Sequence, residues 1–362
     1  MNTPASIKQP APAPVLVDAD KLQQFVSRLF TAYGLAEKDA SRTAQCLVEA
    51  DLRGVASHGV GRIPIYTERL RLGLVNPTPA LAVEAITPVA ARVDGDNGLG
   101  FVVATRAMEE AIERARGFGV GLVLIHRSTH FGMAASYLLQ AVRAGFSTFV
   151  FTNASPAMPV WGGRTPFLGT SPFAFAAPGG DSHPPIVLDM ATSVVARGKI
   201  RRAAQKGEPI PAGWALDSKG QPTTNAADAY NGLILPLGGP KGSGLSLMME
   251  VLAGVMSGAA FGGKVRNQYL DFEAPQNVGH CIIALRPDLA IPAAMFRQRM
   301  DELVGRAKSS SRLDEGQEIL MPGEPEARLE TLRRAQGIPL AADDMAVLRD
   351  EGQRVGLSPA FG

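Results

Sequence analysis

Between Gly119 and Ala177 short β-branched and aromatic runs alternate with helical ones, from "GVGLVLIH" through "GMAASYLLQAVRAG" to "FSTFVFTN". The outer runs are β-branched and aromatic and suit strands, and the middle run has helical spacing, so the order is that of a strand, a crossover helix and a second strand. This makes the middle of the chain an α/β layer. Around it the pattern is helical. Phe25, Val26, Leu29 and Phe30 form one stripe, Gly34 breaks it, and Ala40, Thr43, Ala44, Leu47 and Val48 form another, as in a helical hairpin that continues to about Leu74. After the strand candidate "HCIIALR", helices are predicted in "PAAMFRQRMDELVGRA", "EARLETLRRAQG" and "ADDMAVLRDEGQRVG", a helical tail expected to pack back on the N-terminal helices.

The 362 residues are 46% apolar and 19% charged, enough to bury a sizeable core in two or three domains. A net charge of +2, with acidic and basic residues interspersed, argues against a nucleic-acid surface or a polybasic membrane anchor and leaves small molecules or a second copy of the chain as partners. The apolar "LSLMMEVLAGVMSGAAFGG" is interrupted by Glu250, Ser257 and glycines, so it reads as a buried helix and not as a membrane span. The opening "MNTPASIKQPAPAPVL" has neither the basic start nor the continuous apolar core of a signal peptide and reads as a loose arm. With only Cys46 and Cys281, far apart and without metal-ligand spacing, a reducing cytoplasmic location is expected.

The five histidines include no His-Glu-x-x-His stretch, so no metal is expected. Gly-x-Ser-x-Gly is absent; so is the Rossmann fingerprint, because "GFGVGL" precedes a strand instead of following one, and so is the P-loop, because in "GGPKGSG" the lysine comes too early. Three stretches still suit chemistry. In "PLGGPKGSGLSLMMEVL", Lys241 and the free N–H groups of a helix start converge on an anion, or else mark a glycine-rich turn with a solvated lysine. In "HRSTHFGMAASYLL", His130 and Gly132 follow a strand and precede a helix, where ligands of open α/β sheets usually sit. In "SHGVGR", His58 has the pKa range for proton transfer near neutrality, Ser57 is placed to orient it, and Arg62 suits a bidentate clamp on a carboxylate; the alternative is a glycine cap followed by surface residues.

From about Val17 onward the chain resembles the malate/L-lactate dehydrogenase family of nicotinamide-dependent reductases. The resemblance rests on "DLRGVASHGVGRIPIYTERL", "DGDNGLG", "HFGMAASY", "TNASPAMPVWGGRTPFLGTSPFAFAAP", "LDMATSVVARGKI", "GWALDSKGQPTT", "LPLGGPKGSGLSLMMEVLAG", "QNVGH" and "ILMPGE", in family order. It implies a family-specific, non-Rossmann nicotinamide-binding α/β fold, which accounts for both missing fingerprints. It divides the chain into a flexible arm at 1–16, an N-terminal helical and substrate region at 17–120, an α/β cofactor-binding domain at 121–300 and C-terminal helices at 301–362. It implies His58 as general acid/base with Ser57 in its relay, and Arg62, Thr170, Arg197 and His280 on the substrate. His130 is implied either as a second proton-handling group or as part of a cofactor-binding run with Phe131, Gly132, Met133 and Ala134. Leu188, Asp189 and Met190, Pro240 and Lys241, and Gly323 and Glu324 are the further implied cofactor contacts, with NAD or NADP as cofactor.

The implied reaction is hydride transfer between NAD(P)H and a small 2-oxo or 2-hydroxy acid, malate- or lactate-like, in a homodimer with the site near the subunit boundary. Lys199 stands in "ARGKI" where the family's cyclic-imine reductases are expected to carry an aspartate. This favours a hydroxy acid, with Lys199 on a developing alkoxide or a second carboxylate, unless it points to solvent. Imine reduction and a non-catalytic binding protein are the alternatives.

Overall fold

A computed structural model describes residues 13–361. Strand β1 (Val15–Val17) leads into helices α1 (Ala19–Ala32) and α2 (Glu37–Leu52), which pack as the expected hairpin. Asp18 caps α1 by accepting the Lys21 N–H at 2.9 Å, and the stripe of Phe25, Val26, Leu29 and Phe30 shares a core with Ala40, Ala44, Leu47 and Val48. Of the arm expected at 1–16, residues 1–12 lie outside the described residues, whereas Val15 and Leu16 belong to β1.

Two tight turns lead from α2 to α3 (Ile63–Arg71). The hairpin β2 (Ala82–Thr87) and β3 (Ala90–Asp94) follows, then helix α4 (Gly100–Phe118). Strand β4 (Val120–Ser128), helix α5 (Ala135–Arg143) and strand β5 (Ser147–Thr152) come in the predicted order, and β6 (Pro172–Ala177) and β7 (Ile186–Ala191) extend the same sheet. Helix α6 (Arg197–Lys206) precedes a small sheet of β8 (Ala215–Leu216), β9 (Pro222–Thr223) and, after α7 (Ala226–Asn231), β10 (Leu233–Ile234). Helix α8 (Pro240–Met249) runs into a π-helical turn, Glu250–Val255; then come β11 (Val278–Leu285), α9 (Ala293–Lys308), α10 (Glu324–Gln336), β12 (Ile338–Leu340) and α11 (Ala342–Arg354).

The main sheet has the order β2-β3-β4-β11-β5-β6-β7, in which β3 and β4 are parallel and the other neighbours antiparallel. The crossover from β4 to β5 keeps its direction, but β11 lies between the two strands. The reason is burial on both faces: Val278, Cys281, Ile282 and Ala284 are all buried, and a strand apolar on both faces gains most at the centre of a sheet. Helices α4 and α5 cover one face through Val103, Ala107, Met108, Leu138 and Leu139, whereas Met249 and Leu252 cover Phe151 and Cys281 on the other.

The segment expected to be a buried helix is α8 with its π-helical turn, and it is only half buried. Ser243, Ser246, Met249 and Ala253 face inward, while Leu247, Val251 and Val255 are 48%, 45% and 51% exposed, because the helix meets the sheet on one side only. The tail packs back as expected. Strand β12 pairs with β1, α10 packs on α2, and α11 packs on α3. Among the described residues no helix is long and apolar enough to cross a membrane.

Candidate active site

The stretch "SHGVGR" forms the two turns between α2 and α3, Ala56–His58 and Val60–Arg62. Buried Asp51 shapes them: its Oδ2 accepts the Val60 N–H at 2.8 Å, and its carboxylate lies so close to Gly59 that any Cβ there would overlap it. Burial pushes Asp51 up to about 7, helped by nearby Asp344 and opposed by the Val60 N–H and Arg333. The turns present Ser57, His58 and Arg62 to one cleft of about 880 Å³. Ser57 Oγ is 2.9 Å from His58 Nδ1.

His130, just past the end of β4, stacks on His58 with ring centroids 5.6 Å apart at 17°. Three donors converge on its Nδ1: the Tyr66 hydroxyl at 2.9 Å, the Gly132 N–H at 3.2 Å and Arg62 Nη1 at 3.3 Å, and Arg62 Nη1 is also 3.0 Å from Nε2. A backbone N–H only donates, so Nδ1 is an acceptor, and protonating it would break the contacts with Gly132 and Arg62, whereas the Tyr66 hydroxyl can turn to accept. Enclosure first, then Arg62, holds His130 well below its ordinary value and lowers His58 to about 3. Gly132 has φ +77° and sits against the Phe101 ring where a side chain would clash, so its backbone is set by packing as well as by the cleft.

The cleft is also lined by Phe131, Met133 and Ala134, by Thr170, Leu188 and Asp189 near β6 and β7, by Arg197 of α6, and by Gly323. Asp189, exposed to the cleft, accepts the Ala135 N–H at 2.9 Å. Five expected contacts are placed elsewhere. Met190 follows Asp189 on β7 and does not line the cleft. Pro240 and Lys241 begin α8 as read from the sequence, but both are exposed and neither lines the cleft. Glu324 is taken up in binding Lys308 at 2.7 Å, the Met321 N–H and Arg328, which together depress it to about 2 and tie down the start of α10. Lys199 is exposed, two residues and so about 200° around α6 from both Arg197 and Arg201. The inference about substrate drawn from Lys199 therefore has no footing at the cleft.

His280 is 0% exposed and lies beneath Phe131, its ring 4.7 Å away and 4° from parallel. Its nitrogens meet Thr152 Oγ1 at 2.7 Å and Ser128 Oγ at 2.8 Å, so it ties β11 to both neighbouring strands instead of touching substrate. Burial lowers it to about 3. The unfolded chain therefore binds a proton near pH 6.5 that the folded chain refuses until about 3, and stability falls as pH drops through that window. His280→Gln should lose about 2 kcal/mol less than the parent between pH 7 and pH 5 in urea titrations. An identical acid loss in the variant would contradict a neutral His280.

Several wall residues had no sequence signal: Arg53, Gln268, Tyr269, Gln276 and Arg201. The loop carrying Gln268 and Tyr269 is held from beneath by Arg69, which is 1% exposed and donates to the carbonyls of Asp271 at 2.8 Å, Ala274 at 3.2 Å and Gln268 at 3.3 Å. Arg69→Met should destabilise the protein by about 2 to 4 kcal/mol and open this loop to protease. Parent-like stability and cleavage would show that the loop holds itself. At the cleft wall, Arg53 Nε, Arg62 Nε, Gln268 Oε1 and Tyr269 Oη are buried and have no partner within the described residues. A large cleft rimmed with such orphaned groups calls for a large polar ligand.

Residues 17–349 match the family model for malate/L-lactate dehydrogenase. The chain belongs to the malate/L-lactate dehydrogenase family. Malate/(S)-sulfolactate dehydrogenase of Methanothermus fervidus is 38% identical over 326 residues, covering 90% of this chain and 94% of that one. The structure of sulfolactate dehydrogenase from Methanocaldococcus jannaschii superposes with a TM-score of 0.88 at 38% identity, covering 95% of this chain and 98% of that one. Delta1-piperideine-2-carboxylate reductase from Pseudomonas syringae pvar. tomato does so with a TM-score of 0.84 at 29% identity, covering 93% and 99%. This malate/L-lactate dehydrogenase family member is thus an oxidoreductase, and dehydrogenases of the family use NAD(+) or NADP(+). The cleft suits such a cofactor in size and in its orphaned polar atoms.

Proposed function

We propose that the chain interconverts a malate- or lactate-like 2-hydroxy acid and its 2-oxo acid with NAD or NADP, using His58 for the proton and Arg62 for the substrate carboxylate. The observation that carries this reading is Arg62 itself: a half-buried guanidinium in the cleft, beside both histidines, with no carboxylate of the chain in ion-pair contact among the described residues. A substrate carboxylate supplies the missing charge and fixes the adjacent carbonyl in orientation. When bound, the nicotinamide delivers or accepts the hydride. The run 130–134, Leu188, Asp189 and Gly323 are the residues to hold that cofactor.

His58 gives a proton to the carbonyl oxygen in reduction and takes it back in oxidation, with Ser57 Oγ at 2.9 Å from Nδ1 to fix the ring and relay the proton. His130 is an acceptor beside Arg62, because its Nδ1 accepts the Gly132 N–H and faces Arg62 Nη1. Two free, buried thiols, Cys46 and Cys281, fit a reducing cytoplasm. The half-exposed row of Leu247, Val251 and Val255 fits a homodimer; light scattering should give twice the chain mass, and Val251→Glu should give monomers.

The deciding assay is oxidation of NADH and NADPH with a panel of 2-oxo acids, each with and without ammonia or methylamine. Turnover without amine supports the hydroxy-acid reaction. Turnover that needs amine replaces it with imine reduction.

A further inference from the structure

We propose that the substrate is a dianion, with a second carboxylate or a sulfonate beyond the 2-oxo group, and that Arg201 is the residue selecting it. The proposal rests on the hydride-transfer reading above. Arg197 and Arg201, four residues apart on α6, both line the cleft, but they are not equivalent. Arg197 is engaged with Tyr230, donating to its carbonyl at 3.3 Å and lying 5.3 Å from its ring centre. Arg201 makes no hydrogen bond or ion pair among the described residues; its only neighbour of note is the Tyr269 ring, 5.9 Å from its guanidinium carbon.

Arg62 lies against that same ring at 5.7 Å. Two guanidinium groups thus lie beside one aromatic ring in the cleft wall. The carboxylates of the cleft, Asp189 and Glu326, are grouped with Arg53 and act on one another, and Asp189 is taken by the Ala135 N–H. A second cavity of about 410 Å³ shares Arg62, Arg201 and Tyr269 as its wall. Its own carboxylates, Glu68 and Glu351, are paired with Arg71 and Arg354. Neither side therefore supplies Arg201 with a counter-charge. A monoanionic 2-oxo acid would satisfy Arg62 alone and leave Arg201 unpaired, whereas a substrate with anionic groups at both ends neutralises both. A guanidinium orders planar carboxylates and tetrahedral sulfonates alike, so the two groups are separated by experiment.

The test compares kcat/KM for oxaloacetate and sulfopyruvate with that for pyruvate and 2-oxobutyrate in the parent, Arg201→Gln, Arg201→Lys and the exposed neighbour Arg202→Gln. The parent should prefer at least one dianion, and the better one identifies the second group. Arg201→Gln should lower the dianion-to-monoanion ratio about 10-fold to 100-fold, mostly through KM, with Arg201→Lys intermediate and Arg202→Gln parent-like. A parent ratio near one, or equal losses on both substrate classes in Arg201→Gln, would overturn the proposal while leaving hydride transfer standing. No turnover of any 2-oxo acid with NADH or NADPH would remove the hydride-transfer reading itself.

Discussion

Replacing His58 by alanine is expected to lower turnover by about 10²-fold to 10⁴-fold while cofactor binding, followed by nicotinamide fluorescence, stays at the parent level. The separation of effects follows from the geometry: His58 sits on the turn after α2 with Ser57 and Arg62, whereas the expected cofactor contacts come from the end of β4, from β7 and from the start of α10. The pH dependence has a definite sign. Enclosure and Arg62 lower His58 to about 3, so the free enzyme holds it neutral throughout the neutral range. Oxidation needs a base, and a neutral imidazole is already one, so kcat/KM for the hydroxy acid should stay flat as pH falls through 6.5, where an ordinary histidine would titrate. Reduction needs the protonated ring, so kcat/KM for the oxo acid should fall as pH rises. Unchanged turnover in His58→Ala, or a loss of cofactor binding equal to the loss of rate, would take His58 out of the proton-transfer role.

Arg62→Ala is the second large effect, expected at about 10²-fold to 10³-fold in kcat/KM for the 2-oxo acid. In the proposed reaction the guanidinium meets the substrate carboxylate, and a lysine there would offer a point charge without the planar fork, so Arg62→Lys should recover only part of the loss. The same substitution has an electrostatic consequence that a purely structural role would not produce. Arg62 is the second cause, after enclosure, of the depressed proton affinity of both His58 and His130. Its removal should raise both, bringing an acid limb into the oxidation profile at higher pH than in the parent. A parent-like KM together with an unmoved pH profile would show that Arg62 serves the fold alone. Substrate binding should act in the same direction as the substitution, since a carboxylate on Arg62 offsets its charge and makes His58 a better proton carrier when the oxo acid is in place.

The turn that brings Ser57, His58 and Arg62 to the cleft is legible because it is local. Ser57, His58 and Arg62 lie within six consecutive residues, and the glycines between them mark a turn whose tightness is explained by Asp51 against Gly59. Helix α6 was harder to read. It buries Ile200 and no other residue, so no apolar stripe indicates which of its cations face inward, and the motif alone points to Lys199 although Arg197 and Arg201 share the cleft-facing side. Glu324 and Lys241 illustrate a related limit, since a residue beside a functional backbone segment can be spent on capping or left in solvent without any change in the motif.

By itself the sequence determined the helical hairpin, the strand–helix–strand order and the polar turn after α2, because side-chain period and glycine position act over a few residues. Only the tertiary structure decided that β11 separates β4 from β5, that His280 is a buried tie between Ser128 and Thr152, and that the Gln268–Tyr269 loop closes the cleft on the support of Arg69. Each of these joins residues more than a hundred positions apart. Such pairings are chosen by burial on both faces of a strand and by the need to give every buried polar group a partner, and neither leaves a periodic trace in the chain.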